Sequence, residues 1–454
     1  MSNGERPSRP YPQVATELPG PRSREIFARQ KDVFYTQMHL GETCPFILDY
    51  KDESGLIHDV DGNTFANHLA AWGAAPYGPF PPTVRKAMCD AWDRYGMEIS
   101  CFLQSPPVVE LAERLIALAP GKITRVAPTV TGTEAVEGAI RLAREHTGRP
   151  MILTFLGQYH GESTYLAASA STELAEITTG STPYAPGLMF APYPSSYRGA
   201  FTREPGSVDD SLVIDYINDW LLRHQVEANQ IAGVLIEPIA GELGVYAPSG
   251  SFWAGLTAMC ADHGWVLICD EIQSGLGRSG AVWAGDLWGL EPDLLLTGKS
   301  LSAGGQPMAA ILGTDAIMAK TNVHTTGTYV WEPGAVAGAL AGLDLMPAAI
   351  DNALQLQEIG RQKLGSLVER YEGIGDYRQY GAWGALEFVT DKASKRPDPS
   401  TQAAFHQAAL RRGVFAISFP QKWTYRLQPE LTMDPDLFAW SCDQLAVAAE
   451  EVLS

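Results

Sequence analysis

The pattern of apolar positions in the middle of the chain alternates between helical spacing and short continuous runs. Apolar residues three and four apart favour helices, and runs of four or five apolar residues favour buried strands. Helices are predicted at 107–119, 133–145, 212–223 and 253–263, and strands at 152–155, 232–236, 266–269 and 294–296. Helices that alternate with strands predict an α/β fold, with a mostly parallel sheet covered on both faces.

The two ends of the chain predict a second, smaller unit. Near the N-terminus, Asp61-Gly62-Asn63 lies between two apolar runs and indicates an antiparallel strand pair. The C-terminal part predicts helices at 335–345, 353–371, 402–411 and 435–453, and strands at 384–389 and 414–417. We therefore predict an N-terminal segment (1–75) that joins a small α+β domain (341–454), and a large domain (76–340) between them. Residues 171–210, rich in Ser, Thr, Pro and Gly, predict a long loop.

Composition narrows the function classes. The 454 residues carry a net charge of -19, which disfavours nucleic acid and anionic membranes as partners. Six cysteines without a CxxC motif and nine histidines without HExxH predict neither a disulfide framework nor a metal site. The absence of a long apolar run or a signal-peptide apolar region favours a cytoplasmic protein.

Two predicted strands each end in an ionisable residue. The run 266–269 leads into Asp270, and the run 294–296 leads through a Thr-Gly pair to Lys299. Open α/β sheets bind ligands beyond the carboxyl ends of their strands. A desolvated lysine there becomes a nucleophile, and an aspartate can hold a proton on a heteroaromatic nitrogen. This pair suits pyridoxal phosphate, which takes a lysine as a Schiff base. The alternative interpretation is a helix cap and a surface amine.

A phosphate site is predicted where the helix 133–145 begins. Gly132 permits close approach, and the Thr133 hydroxyl can add a hydrogen bond to the anion-binding end of the helix. An ordinary threonine N-cap is the alternative. Thr328, in a Gly-Thr pair before a later helix, is a further candidate for the phosphate.

Aromatic side chains supply a candidate for the face of a planar cofactor. Tyr159 and His160 follow the strand 152–155, so both are predicted to contact the cofactor, with Tyr159 stacking on it. A surface tyrosine is the alternative.

The segment 275–280 matches GxGxxG, the dinucleotide fingerprint. Asp270-Glu271-Ile272-Gln273 lie between it and its strand, and the stretch after it is a poor helix opening. An NAD-type oxidoreductase would also leave Lys299 without a role. This interpretation stays as a remote alternative.

Six blocks in this order resemble the class III aminotransferases. They are TGTEAVEGAIRLAR, YHG, IEPIAGELG, DEIQSGLGRSG, PDLLLTGKSLSAGGQPMAA and HTTGTY. The resemblance extends from about Leu18 to the C-terminal YRLQPELTM. It implies the fold type I architecture of pyridoxal phosphate enzymes, and a homodimer or homotetramer with sites at the subunit interface.

The resemblance implies a role for each matching residue. Lys299 would carry the cofactor and act as the base, and Asp270 would hold the proton on its ring nitrogen. Ile272 would lie under one ring face and Tyr159 over the other, with Gln273 near the ring hydroxyl.

The phosphate would then lie against Gly132 and Thr133. Thr328 would reach it from a second subunit.

Two further matches concern the substrate. In relatives of the ornithine and GABA type, a glutamate can mask an arginine near the C-terminus, and Glu242 and Arg426 occupy these positions here. Such a pair would admit an amine without a carboxylate, and would then release Arg426 to a keto acid carboxylate.

The chain also departs from the family pattern beside the cofactor residues. It has Val130 before Thr131-Gly132, where Asn-Ser-Gly is usual, and Val330-Trp331-Glu332-Pro333 where Gly-Gly-Asn-Pro is common. Trp72 and Trp331 are therefore predicted to line an apolar substrate pocket, with core packing as the alternative.

We predict an aminotransferase that moves an amino group from an amino acid or amine to a 2-keto acid. An amino acid racemase, epimerase or aminomutase with the same cofactor is the alternative, and turnover without a keto acid would distinguish it. A non-catalytic binding protein is a third, disfavoured because Lys299 and Asp270 are both present.

Overall fold

A computed structural model describes residues 11–34, 44–78, 80–97, 103–172, 184–195, 197–201, 209–416, 418 and 422–454. The strands within these ranges are β1 (Leu48–Lys51), β2 (Leu56–Asp59), β3 (Thr64–Asn67), β4 (Ile123–Thr129), β5 (Met151–Leu156), β6 (Leu188–Pro192), β7 (Ile231–Ile236), β8 (Val266–Asp270), β9 (Leu294–Thr297), β10 (Ala309–Thr314), β11 (Ile374–Tyr380), β12 (Trp383–Phe388), β13 (Val414–Phe415) and β14 (Thr424–Leu427).

Helices connect most of these strands. They are α1 (Pro21–Val33), α2 (Pro82–Tyr95), α3 (Pro106–Leu118), α4 (Gly132–Thr147), α5 (Tyr165–Ala170), α6 (Leu212–Tyr216), α7 (Gly241–Gly244), α8 (Gly250–His263), α9 (Asp315–Met318), α10 (Pro333–Lys363), α11 (Gly365–Arg370), α12 (Pro399–Arg411) and α13 (Pro435–Leu453). A π turn at Ile217–Leu221 carries α6 on towards Leu222–His224, so the predicted helix 212–223 is interrupted.

The central sheet has seven strands in the order β4-β10-β9-β8-β7-β5-β6. Strands β9, β8, β7, β5 and β6 all run parallel to one another. Strand β10 runs antiparallel to both of its neighbours, β4 and β9. Every residue of β7, β8 and β9 is buried, which is typical of strands covered on both faces. The predicted α/β fold with a mostly parallel sheet is confirmed.

The C-terminal part forms an antiparallel sheet of β11, β12 and β14. A second small sheet has the order β1-β2-β3-β13, so strands near the N-terminus pair with a strand near the C-terminus. This pairing supports an N-terminal segment that joins the small domain. The domain limits remain a prediction, and the limit at 340–341 falls within the continuous helix α10.

Two predicted helices, 335–345 and 353–371, are wrong as separate elements. Helix α10 runs unbroken from Pro333 to Lys363 with Pro347 inside it. Pro347 lacks an N–H donor and so removes one hydrogen bond from the helix. The helix continues because the burial of small and apolar side chains along its length stabilises it by more than this loss. The segment Pro333–Arg370 is long and apolar enough to span a membrane, but 56% of its most apolar window is buried within the fold, which indicates a core helix.

The predicted loop at 171–210 contains the strand β6, so it is not irregular throughout. Residues 173–183, 196 and 202–208 of this loop, and residue 417 of the predicted strand 414–417, lie outside the described ranges. Strands β4, β6, β10, β11 and β14 were not predicted, because their short runs lack a clear period.

Candidate active site

The two predicted strand ends meet at one edge of the central sheet. Strands β8 and β9 are parallel neighbours, with Asp270 paired to Leu296, so Asp270 and the segment after Thr297 lie side by side. Lys299 has a φ of 38°, which costs a non-glycine residue roughly 1–2 kcal/mol. Such strain is common at functional sites and here turns the chain sharply at the end of the strand.

Lys299 lies among charged groups in a buried setting. Burial lowers the pKa of its amine, although the carboxylates of Glu242, Glu237 and Asp270 act in the opposite direction. The neutral, nucleophilic form is therefore reached at a lower pH than for an ordinary lysine.

Asp270 is 4% exposed and is held by two of the residues predicted from sequence. Its Oδ2 lies 2.8 Å from His160 Nδ1, and its Oδ1 accepts the Ile272 N–H at 3.1 Å. Since a carboxylate only accepts, the imidazole proton of this bond belongs on Nδ1. His160 thus orients the carboxylate, while the buried His160 Nε2 has no hydrogen-bond partner among the described residues.

Three glycines at the strand ends pack closely against the side chains of Ile272 and Thr133. A Cβ on Gly132 would lie 2.9 Å from Ile272 Cδ1, and one on Gly298 would lie 3.3 Å from Ile272 Cγ2. Gly161, with a φ of 107°, similarly faces Thr133, whose Cβ would be 2.8 Å away. The predicted phosphate residues, Gly132 and Thr133, are therefore brought beside the predicted ring residue Ile272.

Helix α4 begins one residue earlier than predicted, and its N-cap is Thr131. Thr131 Oγ1 accepts the Glu134 N–H at 3.2 Å, and the Glu134 carboxylate accepts the Val130 and Thr131 N–H groups. Gly132 and Thr133 occupy the first turn, where a helix offers their N–H groups no acceptor of its own. Capping and anion binding thus use different N–H groups, so the two interpretations of this threonine-rich start are compatible.

Tyr159 lies beside the lysine, as predicted for a ring that covers the cofactor. The Lys299 Nζ is 5.9 Å from the centre of its ring. The Tyr159 N–H donates to Glu237 Oε1 at 2.8 Å, which fixes the segment after β5 against the end of β7.

Glu237 was not singled out from the sequence. It follows β7 directly, is 4% exposed, and accepts a second bond from the Gly241 N–H at 3.2 Å. Burial, reinforced by the charge of Asp270, raises the pKa of its carboxyl well above the ordinary value. The signal was available, because Glu237 is an ionisable residue at a strand end, as are Asp270 and Lys299.

Gln273 is positioned between two backbone segments. Its Nε2 lies 3.5 Å from the Trp72 carbonyl, and a Cβ on Gly241 would overlap its Oε1. Ala70, Ala71 and Trp72 all have positive φ values of 46°, 51° and 52°, an unusual run for residues other than glycine. This strained turn brings the half-buried Trp72 to the site.

The Glu242–Arg426 pair predicted from sequence is formed. Arg426 Nη1 lies 2.7 Å from Glu242 Oε1 and also donates to the Gly241 carbonyl at 3.1 Å. Burial raises the pKa of the Glu242 carboxyl, but the charge and hydrogen bond of Arg426 outweigh it, and the net pKa lies below the ordinary value.

Two other predicted residues have different surroundings in the structure. Trp331 is 2% exposed and its indole N–H donates to the Ala309 carbonyl at 2.9 Å, so it packs in the core below the sheet edge. This packing agrees with the alternative interpretation, and a role for Trp331 at the substrate pocket stays a prediction. Thr328 is exposed on this chain, and its contact with the phosphate stays a prediction.

A family model described as "Aminotransferase class-III" matches residues 39–448 of the chain. The chain belongs to the class III aminotransferase family. It is a pyridoxal phosphate-dependent enzyme of amino group transfer, as the resemblance implied.

Relatives of this aminotransferase include enzymes of different activity. It is 28% identical over 450 residues to an alanine/serine racemase from Pyrococcus horikoshii, covering 98% of this chain and 94% of the relative. It is 31% identical over 446 residues to a 4-aminobutyrate aminotransferase from Mycobacterium leprae, covering 96% and 97%. A PLP-bound amine transaminase from an uncultivated Pseudomonas species superposes with a TM-score of 0.82 at 26% identity, covering 92% and 99%.

The residues present in the aminotransferase fit pyridoxal phosphate. Gly132 and Thr133 place N–H groups that have no acceptor within the helix beside Ile272, and Asp270 offers a buried carboxylate oriented by a histidine. Lys299 offers an amine with a lowered pKa at the same sheet edge.

The GxGxxG match has a different role in the aminotransferase. Residues 275–280 form turns, and only a short 3₁₀ helix at Ala284–Trp288 follows them where the fingerprint would open an α-helix, so the dinucleotide interpretation is wrong. Arg278 within the motif is fully buried, and its Nη1 donates to the Ala382 and Pro429 carbonyls. The motif therefore ties the large domain to the C-terminal sheet.

Proposed function

We propose that this enzyme transfers the amino group of an amine or amino acid to a 2-keto acid, with Lys299 as the proton-transferring residue. The observation that carries the proposal is the buried pair of Glu242 and Arg426 beside Lys299. An arginine is suited to bind a carboxylate through two parallel hydrogen bonds, and a glutamate can hold it when no substrate carboxylate is present.

Each residue near the lysine has a distinct task in this proposal. Pyridoxal phosphate, when bound, supplies an electron sink for the substrate carbon. Asp270 holds a positive charge at the ring nitrogen and is itself oriented by His160. The Lys299 amine, with its lowered pKa, would move a proton between the substrate carbon and the cofactor. Gly132 and Thr133 hold the phosphate at the start of α4.

The Glu242–Arg426 pair supports a pocket that serves two kinds of substrate. With the pair closed, Glu242 balances the charge of Arg426, so a donor without a carboxylate can enter. With a keto acid present, Arg426 turns from Glu242 to the substrate carboxylate. The half-buried Trp72 is proposed to line this substrate side.

A racemase is the second candidate, favoured by the similarity to the alanine/serine racemase over 98% of this chain. A racemase returns the proton to the opposite face of the same carbon and needs no acceptor. The two candidates therefore differ in their need for a keto acid.

We further propose a cytoplasmic homodimer or homotetramer in which Thr328 contacts the phosphate of the neighbouring subunit. Its exposed position on the single chain supports this arrangement.

The test uses purified holoenzyme, a panel of amines and amino acids, and pyruvate or 2-oxoglutarate. We expect donors to abolish the visible absorption band of the bound cofactor and the keto acid to restore it. A protein that shows no visible band after addition of cofactor would refute the proposal. Racemisation of pure L-alanine at full rate without a keto acid would establish the racemase instead.

A further inference from the structure

The helical turn α7 (Gly241–Gly244), which carries Glu242, is held by basic side chains from the C-terminal sheet. The donors and carbonyls are Arg426 to Gly241 at 3.1 Å, Lys422 to Glu242 at 2.8 Å and Arg378 to Gly244 at 2.8 Å. The Gly241 carbonyl also accepts the Val245 N–H at 3.3 Å, whereas the later carbonyls of so short a turn have no partners within the helix, so cations are suitable donors to them.

The three cations also act on side-chain carboxylates. Arg378 Nη1 also lies 2.8 Å from Asp376 and 2.7 Å from Glu387, so its charge is balanced by two carboxylates. Arg426 is paired with the Glu242 carboxylate itself. Lys422 is 8% exposed, and its charge helps to lower the pKa of the Glu242 carboxyl.

A buried carboxylate that loses its partner is strongly destabilised. When Arg426 turns to a substrate carboxylate, Glu242 faces this cost. Lys299 also acts on the Glu242 carboxylate, but it is the residue that carries the cofactor.

We propose that Lys422 is a positioning residue that offsets the charge of Glu242 while Arg426 binds the carboxylate of a substrate. This inference rests on the proposed function of the Glu242–Arg426 pair. Lys422 holds the backbone of Glu242, so the turn stays in place and the carboxylate stays near a cation when Arg426 leaves. Lys422 thereby favours substrates with a carboxylate and is neutral towards amines that lack one.

The test compares the variants Lys422→Met, Lys422→Gln and Lys422→Arg as holoenzymes. Glutarate, a dicarboxylate without a keto group, serves as a probe that binds without reacting, and its affinity is measured by calorimetry. The KM for 2-oxoglutarate and the single-turnover rate with 1-phenylethylamine are measured alongside.

We expect Lys422→Met and Lys422→Gln to weaken glutarate binding and raise the KM for 2-oxoglutarate by about tenfold, since both remove the charge. The amine half-reaction and the cofactor spectrum should be unchanged, and Lys422→Arg should bind glutarate within about threefold of the wild type. Glutamine can still donate a hydrogen bond to the Glu242 carbonyl but carries no charge. If Lys422→Gln and Lys422→Met weaken binding equally, the effect is due to the lost charge and not to the lost hydrogen bond.

A matched control is Lys395→Met. Lys395 also donates to a backbone carbonyl, that of Tyr197 at 3.1 Å, but it is not among the groups that act on the Glu242 carboxylate. It should leave glutarate affinity unchanged.

The inference is overturned if the charge-removing variants bind glutarate as the wild type does, or if the amine half-reaction slows by the same factor as glutarate binding weakens. If Lys422→Met does not fold, the comparison of Lys422→Gln with Lys422→Arg decides. Failure of the proposed function looks different, because the wild type would then show no cofactor band or no reaction with any amine.

Discussion

Replacement of Gly161 by alanine should disturb the phosphate side of the active site. Gly161 has a φ of 107°, a conformation that residues with a Cβ rarely adopt. The new Cβ would lie 2.8 Å from Thr133 Cβ and closer still to its Oγ1. Thr133 must therefore move, or the segment after Tyr159 must shift away from α4.

The magnitude follows from these two effects. The disfavoured backbone conformation costs about 1–3 kcal/mol, and overpacking adds about 1–3 kcal/mol. Partial relaxation leaves an expected loss of roughly 3 kcal/mol in the free energy of unfolding. A displaced Thr133 also loses a hydrogen bond to a charged phosphate, and a loss of about 1.5–3 kcal/mol corresponds to cofactor binding weaker by roughly 10- to 100-fold.

Two measurements check this prediction. Urea denaturation of the cofactor-free protein gives the stability, and quenching of tryptophan fluorescence during titration with pyridoxal phosphate gives the affinity. Gly365→Ala is the matched control, because a Cβ there meets no atom within 4 Å. It lies in α11, so it should leave affinity unchanged and stabilise the protein slightly.

The reasoning is refuted if Gly161→Ala matches the wild type in both stability and cofactor affinity. A loss of stability with unchanged affinity would show that Thr133 does not contact the phosphate, and would exclude that part of the proposed site.

Three further predictions concern other parts of the site and its support. Asp270→Asn should slow the single-turnover reaction with an amine by roughly 100- to 1000-fold, because the charge at the ring nitrogen is lost; a rate within threefold of the wild type would contradict this. Burial raises the pKa of the Glu271 carboxyl from 4.5 to about 7, so the folded protein keeps a proton that the unfolded chain loses in this range. The free energy of unfolding should therefore fall by up to about 3 kcal/mol as pH rises from 4.5 to 7. Urea titrations at pH 5 and pH 7 should show this fall in the wild type and not in Glu271→Gln. An equal fall in both proteins would contradict the assignment to Glu271. Mixing the inactive variants Lys299→Ala and Thr328→Glu so that they exchange subunits should restore about a quarter of wild-type activity. Half of the dimers then contain one subunit of each variant, and each such dimer has one intact site. No recovery would show that Thr328 does not act across the interface.

Local patterns determined much of the fold and the centre of the site. Apolar runs located β5, β7, β8 and β9. The helices between β5, β7 and β8 predict that these strands are parallel, and the connection 271–293 is long enough for β9 to be parallel to β8 as well. Because parallel strands align their carboxyl ends, the residues after β8 and β9 had to lie near one another, which is why Asp270 and Lys299 were found. The same rule would have found Glu237 after β7.

Other features depend on contacts between distant parts of the chain, and only the tertiary structure decided them. The Glu242–Arg426 bond joins residues 184 positions apart, and family resemblance, not local pattern, suggested it. Lys422 has no local signal, since its partner is a backbone carbonyl 180 residues away. The sequence allowed the ring of Trp331 to line a pocket or to pack in the core, and in the structure it packs in the core beside β10. Periodicity reports which face of a segment is buried, but the identity of the group that covers it is set by how the sheets and helices come together.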